Sequence, residues 1–187
     1  MKQMIAIALI LVFLFSIASH AANNAQESKG ERSLPDKING LHLSVELIDD
    51  EKNFRRADTF RIRVKLKNVS QSPITLYKEM SWGWLSSLFL GISDGRGRKV
   101  DTPFLEHAFP HPPFPKEDFI AIRPGEAIEK VRDVELKLYE IRKPGTYFVT
   151  VWYRSPVPQE FAPEGMKIWA MEEGRLESKP VKFRIIM

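Results

Sequence analysis

The sequence predicts an all-β fold, an antiparallel sandwich of two sheets with about seven to nine strands. Two long loop insertions, Thr102 to Lys116 and Ser155 to Ser178, are expected to interrupt it. Three observations lead there. Several stretches alternate apolar and polar residues with period two, which only a strand with one wet face explains. Glycine- and proline-containing turns separate these stretches. No cysteine occurs among the 187 residues, so burial rather than disulfide bridging must hold the chain together, and one core is feasible at this length.

The elements follow in chain order. Lys2 precedes an apolar run from Met4 to Ser19, and small residues at Ser19 and Ala21 follow. A basic start, a short apolar stretch and a small-x-small exit are the layout of a secretory signal peptide, here residues 1–21. The run falls short of the roughly 20 apolar residues a spanning helix needs, so no stable membrane span is expected after cleavage. Residues 22–39 are polar, carry Gly30 and Pro35, and read as a flexible leader. One domain over residues 40–187 completes the organisation, and the address implied is periplasmic or secreted.

Within that domain Leu41, Leu43, Val45 and Leu47 alternate with His42, Ser44 and Glu46. Phe60, Ile62, Val64 and Leu66 alternate with Arg61, Arg63, Lys65 and Lys67. The segment Asn68 to Pro73 is turn chemistry. Ile74 and Leu76, then Leu88 to Ile92, suggest two further strands. Asp94 to Lys99 reads as a hairpin turn, since a phosphate cradle would need a helix start after its glycines. Asp118 to Ile122 is a short strand closed by Arg123-Pro124-Gly125-Glu126. Val134, Leu136 and Leu138 alternate and read as strand. After the Lys143-Pro144-Gly145 turn, Tyr147, Val149, Val151 and Tyr153 alternate with Phe148, Thr150 and Trp152. Val181, Phe183 and Ile185 make the last strand.

The stretch Ile141 to Ser155, IRKPGTYFVTVWYRS, resembles the corner leading into the sixth strand of immunoglobulin-like or fibronectin-like domains. The resemblance implies a tyrosine corner at Tyr147. It places Val149 where antibody domains carry their second cysteine, and Ile62 or Val64 where they carry the first. Arg123 to Glu126 and the closing SKPVKFRI segment are similar to bacterial exported domains of this build. The resemblance concerns the fold and brings no function with it.

Candidate functional residues are few. Pro110, Pro112, Pro113 and Pro115 stiffen the first insertion into extended forms. His107 and His111 stand four apart, a metal-clamp spacing only on a helix, which these prolines forbid; no metal or other cofactor is expected. Phe104, Phe109 and Phe114 need cover, as do Phe148 and Trp152, so loop and strand are expected to cover one another. Trp82 and Trp84 beside glycine and serine, and Trp169 in the second insertion, could stack on a sugar or grip a protein, or be core residues. Arg61, Arg63, Lys65 and Lys67 form a basic row that could meet an acidic polymer, or be neutralised by acids such as Glu46.

With 28 basic and 24 acidic residues, a net charge of +4, the chain is only mildly basic, and nucleic acid is not an expected partner. No serine elbow appears, and the paired carboxylates Asp49-Asp50 and Glu172-Glu173 lack an apolar setting to raise a pKa. The expectation is a non-enzymatic binding module of the cell envelope, recognising a protein or envelope component through its two insertions. The candidate contacts are Trp82, Trp84, Phe109, His111, Phe114 and Trp169. A carbohydrate-binding module using the tryptophans, and a metal protein centred on His107 and His111, are the alternatives.

Overall fold

The strand Thr59–Asn68 shows why the alternation matters: Phe60, Ile62, Val64 and Leu66 are each 0% exposed, while the residues between them face water. The computed structural model describes residues 35–50, 52–83, 86–101 and 112–187. Twelve strands run through them: β1 (Lys37–Ile38), β2 (Leu41–Leu47), β3 (Asn53–Phe54), β4 (Thr59–Asn68), β5 (Ile74–Tyr77), β6 (Leu88–Asp94), β7 (Lys99–Val100), β8 (Phe119–Ile122), β9 (Ala127–Glu135), β10 (Gly145–Tyr153), β11 (Leu176–Glu177) and β12 (Val181–Ile185).

One sheet has the order β1-β2-β4-β9, and the other runs β3-β12-β10-β6-β7 with β11 also paired to β10. The pairs are antiparallel except β3 with β12. In this arrangement β2, β4 and β9 hold the A, B and E positions of an immunoglobulin-type sandwich. Strands β6, β10 and β12 hold the C, F and G positions. The inner faces of the two sheets share one core, in which Leu43, Ile62, Val64, Ile92, Val149, Val151 and Phe183 pack together. Phe54, Phe60, Phe183 and Tyr147 chain through it with ring centroids 5.0–6.3 Å apart. The expected tyrosine corner is present: the Tyr147 hydroxyl donates to the Lys143 carbonyl at 2.8 Å. Val149, Ile62 and Val64 fill with apolar bulk the sites where antibody domains carry their bridge.

A third, two-stranded sheet pairs β5 with β8. The second insertion folds against it instead of standing free. Val157, Ile168 and Ala170 join Tyr77 of β5 and Phe114 in a satellite cluster, with Phe119, Ala162 and Met166 packed on its rim. The Trp169 backbone N–H donates to the Thr75 carbonyl at 2.8 Å, and Ser178 bonds Val151 of β10 in both directions. The Gln159 side chain staples the insertion internally, donating to the Met166 carbonyl and accepting from the Ile168 N–H. The insertion read as a recognition loop thus turns Val157, Ile168, Trp169 and Ala170 inward, covering Tyr77 of β5.

Two boundaries differ from the sequence reading. Strand pairing is already present before residue 40: β1 pairs with β2, Ile38 packs on the core, and Asn39 and Gly40 make the two-residue hairpin with φ of 46° and 82°. Asn-Gly suits that mirror-image turn because both residues tolerate positive φ. Further on, the strand expected through Leu138 ends at Glu135. Leu136–Leu138 form a 3-10 turn that buries Leu136 and leaves Leu138 50% exposed.

The junction of the sheets is held by Asn68, which is 0% exposed. Its Nδ2 donates to the carbonyls of Ser72 at 2.7 Å and Ile122 at 2.9 Å. Its Oδ1 accepts from the Ser70 N–H at 2.8 Å and hydroxyl at 2.7 Å. Its backbone binds the β8–β9 turn, donating to the Glu126 carbonyl and accepting from Gly125, whose φ of +82° favours glycine. Replacing this carboxamide by an apolar group of similar size breaks four hydrogen bonds at a fully buried position and takes the acceptor from the Ser70 N–H. Asn68→Leu is therefore expected to cost about 3 kcal/mol in urea unfolding, against about 1 kcal/mol for Tyr147→Phe, which removes a single bond. Equal losses would show that the Asn68 network does not hold the junction.

Candidate functional site

The basic row lies on the outer face of the first sheet, where register sets acids beside it. Arg61 binds the Asp49 carboxylate at 3.1 Å, Arg63 binds Glu46 at 2.7 Å and Glu129 at 3.5 Å, and Lys65 binds Glu129 at 2.7 Å. Lys67 is exposed, in register with His42 and Ala127. Three of the four cations are thus answered by carboxylates in a solvated face, where such pairs contribute little individually. As a surface for an acidic polymer the row is corrected to a self-neutralised one.

The aromatic candidates separate sharply. Trp169 is 4% exposed and stacks on Tyr153 at 5.6 Å, so it is a core residue and not a gripping one. Phe114 is 7% exposed, edge-on to Tyr77 at 5.9 Å; burial in the satellite cluster removes it too from the surface. Trp84, Phe109, His107 and His111 lie outside the described residues. So does the expected contact of Phe109 with Trp152. On the outer face of β10, Trp152 lies 5.3 Å from Phe89 with Arg175 above it. Its ring occupies the space over Gly91, where an added Cβ would stand 2.6 Å from Cη2. Among the described residues no three His, Asp or Glu side chains gather as metal ligands. A groove of about 660 Å³ opens beside the β6–β7 hairpin, lined by Arg96, Arg98 and Arg142 among others. Two of these cations are held by acids, Arg98 by Asp94 and Arg142 by Glu140.

Trp82 leads to the remaining site. It is half-buried against the main core just before β6, and its Nε1 is buried without an acceptor. The guanidinium of Arg132 sits 4.7 Å from its ring centroid. Arg132 is in register with Ile62, so on β9 it belongs to the core-facing row Ile128, Lys130, Arg132, Val134. Among the described residues no carboxylate reaches salt-bridge distance of Arg132 or Lys130. Desolvation pulls the Arg132 pKa below its ordinary value, partly offset by Tyr139 nearby, and burial pushes Tyr139 up. The mouth between the sheets therefore holds a half-desolvated cation on an aromatic platform, with no acid of its own among the described residues. Chemically this arrangement can take a carboxylate, which would bond the guanidinium fork while Trp82 supports its face.

Sequence reasoning found Trp82 and missed Arg132. The signal was available: Arg132 is in phase with Ile128 and Val134, so a strand that buries those two turns the arginine inward as well.

No family model matches the sequence, and no curated protein is similar to it. Among solved structures, the chain is similar to the CARDB domain of a Pyrococcus furiosus protein in complex with di-metal ions, at 8% identity and TM-score 0.36 over 83% of this chain and 95% of that one. A Pseudomonas fluorescens alkylpurine DNA glycosylase bound to DNA gives 12% and 0.37 over 78% of this chain. A Listeria innocua beta-glucosidase in complex with laminaribiose gives 13% and 0.37 over 86%. The chain spans 30% of the glycosylase and 20% of the glucosidase.

The outer-face carboxylates carry a pH dependence. Asp49 is held below the usual carboxylate range, first by the Arg61 backbone N–H bonded to it and then by the Arg61 side chain, with burial opposing. Glu129 is lowered chiefly by its bond from Lys65, and Asp94 by that from Arg98. A folded pKa below the unfolded one means the unfolded chain binds more protons in acid. The stabilisation is thus present above the unfolded value and lost as pH falls through the folded one. Melting temperature should fall between about pH 5 and pH 3, and Asp49→Asn should make that fall shallower. An unchanged slope would exclude Asp49 as a source.

Proposed function

We propose that the chain is an exported, non-enzymatic binding module of the cell envelope, taking a protein partner at the mouth of the sandwich with Arg132 as its anchor. Export is supported by the apolar N-terminal run with its basic start and small-residue exit. The observation that carries the binding role is the Arg132 guanidinium, half out of water on the face of Trp82 and unanswered by any acid among the described residues. Removing a cation from water costs free energy that an internal carboxylate usually offsets. Three cations of the neighbouring outer face have such acids, so the difference at Arg132 marks a position where an incoming carboxylate supplies the missing partner. Arginine and tryptophan are also the residue types that dominate protein interfaces.

The second insertion supports this role indirectly, because its burial on β5 and β8 stiffens the scaffold beside the mouth. Its outer rim still presents Phe161, 44% exposed. Purification of the tagged protein from an envelope fraction should retain a partner that Arg132→Gln loses. Thermal melts of the variant should stay close to the parent, because Gln restores a neutral side chain to a half-buried position. Retention of the same partner in equal yield by Arg132→Gln and Trp82→Ala would overturn the reading.

A further inference from the structure

The nine-residue strand β9 is the edge of its sheet, paired on one side only. In immunoglobulin-type sandwiches the sheet of strands A, B and E carries a further strand D beside them. Here the strand preceding β9 is β8, and it pairs with β5 instead. The orientation of the open edge follows from the ladder. Asn68 donates to the Glu126 carbonyl and Leu136 to that of Asp58, so even-numbered residues of β9 bond to β4. The N–H and C=O groups of Glu129, Val131 and Asp133 therefore point away from the sheet. Among the described residues nothing bonds to them.

We infer that β9 accepts an extended segment of a partner protein as an added strand, with acidic side chains at the alternate positions that meet Lys130 and Arg132. This rests on the binding role proposed above and gives it a geometry. Charge decides the occupant. On the outer face Glu129 is already answered by Arg63 and Lys65. On the inner side Lys130, which is exposed, and Arg132, which is partly buried, have no acid among the described residues, so a strand bringing carboxylates to that row is matched, and a neutral or basic one leaves the Arg132 cation partly desolvated and unanswered. Inward-pointing charge is a device that keeps sheet edges from pairing at random, and here it selects one kind of strand. A second copy of this chain is disfavoured by its own sequence. A two-fold centred on Val131 sets Glu129 against Asp133 and Lys130 against Arg132, and a two-fold centred on Lys130 or Arg132 sets that cation against itself. Like charges directly opposite are destabilising. Val131, 49% exposed at the middle of the edge, offers the added strand an apolar neighbour on the outer face.

The test uses two fluorescein-labelled peptides about as long as β9, one alternating threonine with glutamate and one alternating threonine with lysine. Anisotropy titration of the full chain should show binding of the glutamate peptide only, weakened by salt. Val131→Pro removes an outward N–H without touching the β4 ladder, since edge strands tolerate proline there. It should weaken binding about tenfold, the loss of roughly one backbone bond and its alignment, with the melting temperature nearly unchanged and Val131→Thr as the control that keeps the N–H. Amide exchange should slow on binding at Glu129, Val131 and Asp133. Failure of the glutamate peptide to bind, equal binding of both peptides, or indifference to Val131→Pro overturns strand addition. Loss with Arg132→Gln but not with Val131→Pro would keep the anchor and reject the added strand. A dimer in sedimentation that Val131→Pro dissociates would identify self-pairing and reject the proposal.

Discussion

The buried carboxamide of Asn68 is the constraint on which the rest of the arrangement depends. It closes four hydrogen bonds around a fully buried side chain, using both protons and both acceptor positions of the group. Three of them shape the turn leaving β4, and one reaches across to the end of β8. The backbone of the same residue grips the turn between β8 and β9. One side chain therefore ties the first sheet to the small third sheet. A buried polar group of this kind is worth most when fully satisfied, because any alternative pairing of β8 strands several of its partners at once.

That junction has consequences on both sides. With β8 held against β5, an apolar face appears that the long segment after β10 must cover, and the satellite core around Tyr77, Phe114 and Ile168 is the result. With β8 drawn away, no described strand pairs with the outer edge of β9, and the Arg132 guanidinium rests on Trp82. The filled insertion and the open edge are two outcomes of a single choice of strand pairing. The charges sort accordingly. Cations on the outer face of β4 find acids on both neighbouring strands, whereas Lys130 and Arg132 at the edge find none among the described residues.

Local pattern carried the fold a long way. The alternation in Phe60 to Leu66 and in Tyr147 to Tyr153 specified two central strands and the side that each buries. The corner at Tyr147 could be read from its place two residues before a buried valine. Asn39-Gly40 is equally a hairpin signal, but the polar residues before it have the composition of a leader and mask it. At Leu136 the alternation misled: three residues with apolar ends fit a 3-10 turn as well as a strand, and burial of Leu136 beside the core chose the turn.

The candidate site was legible only in part, for reasons of chemistry. A tryptophan beside glycine announces itself, but whether it is a grip or a filler depends on what lies above its ring. Trp169 and Trp82 look alike in sequence, yet one is sealed against Tyr153 and the other carries a guanidinium. By itself the sequence determined the class of fold, the inner and outer faces of each strand and the turns between them, since these follow from side-chain alternation and backbone preference within a few residues. Only the tertiary structure decided which strands became neighbours, that the second insertion fills a core, and that Arg132 lies on the face of Trp82. Those depend on groups distant in the chain competing for the same hydrogen bonds and the same dry space.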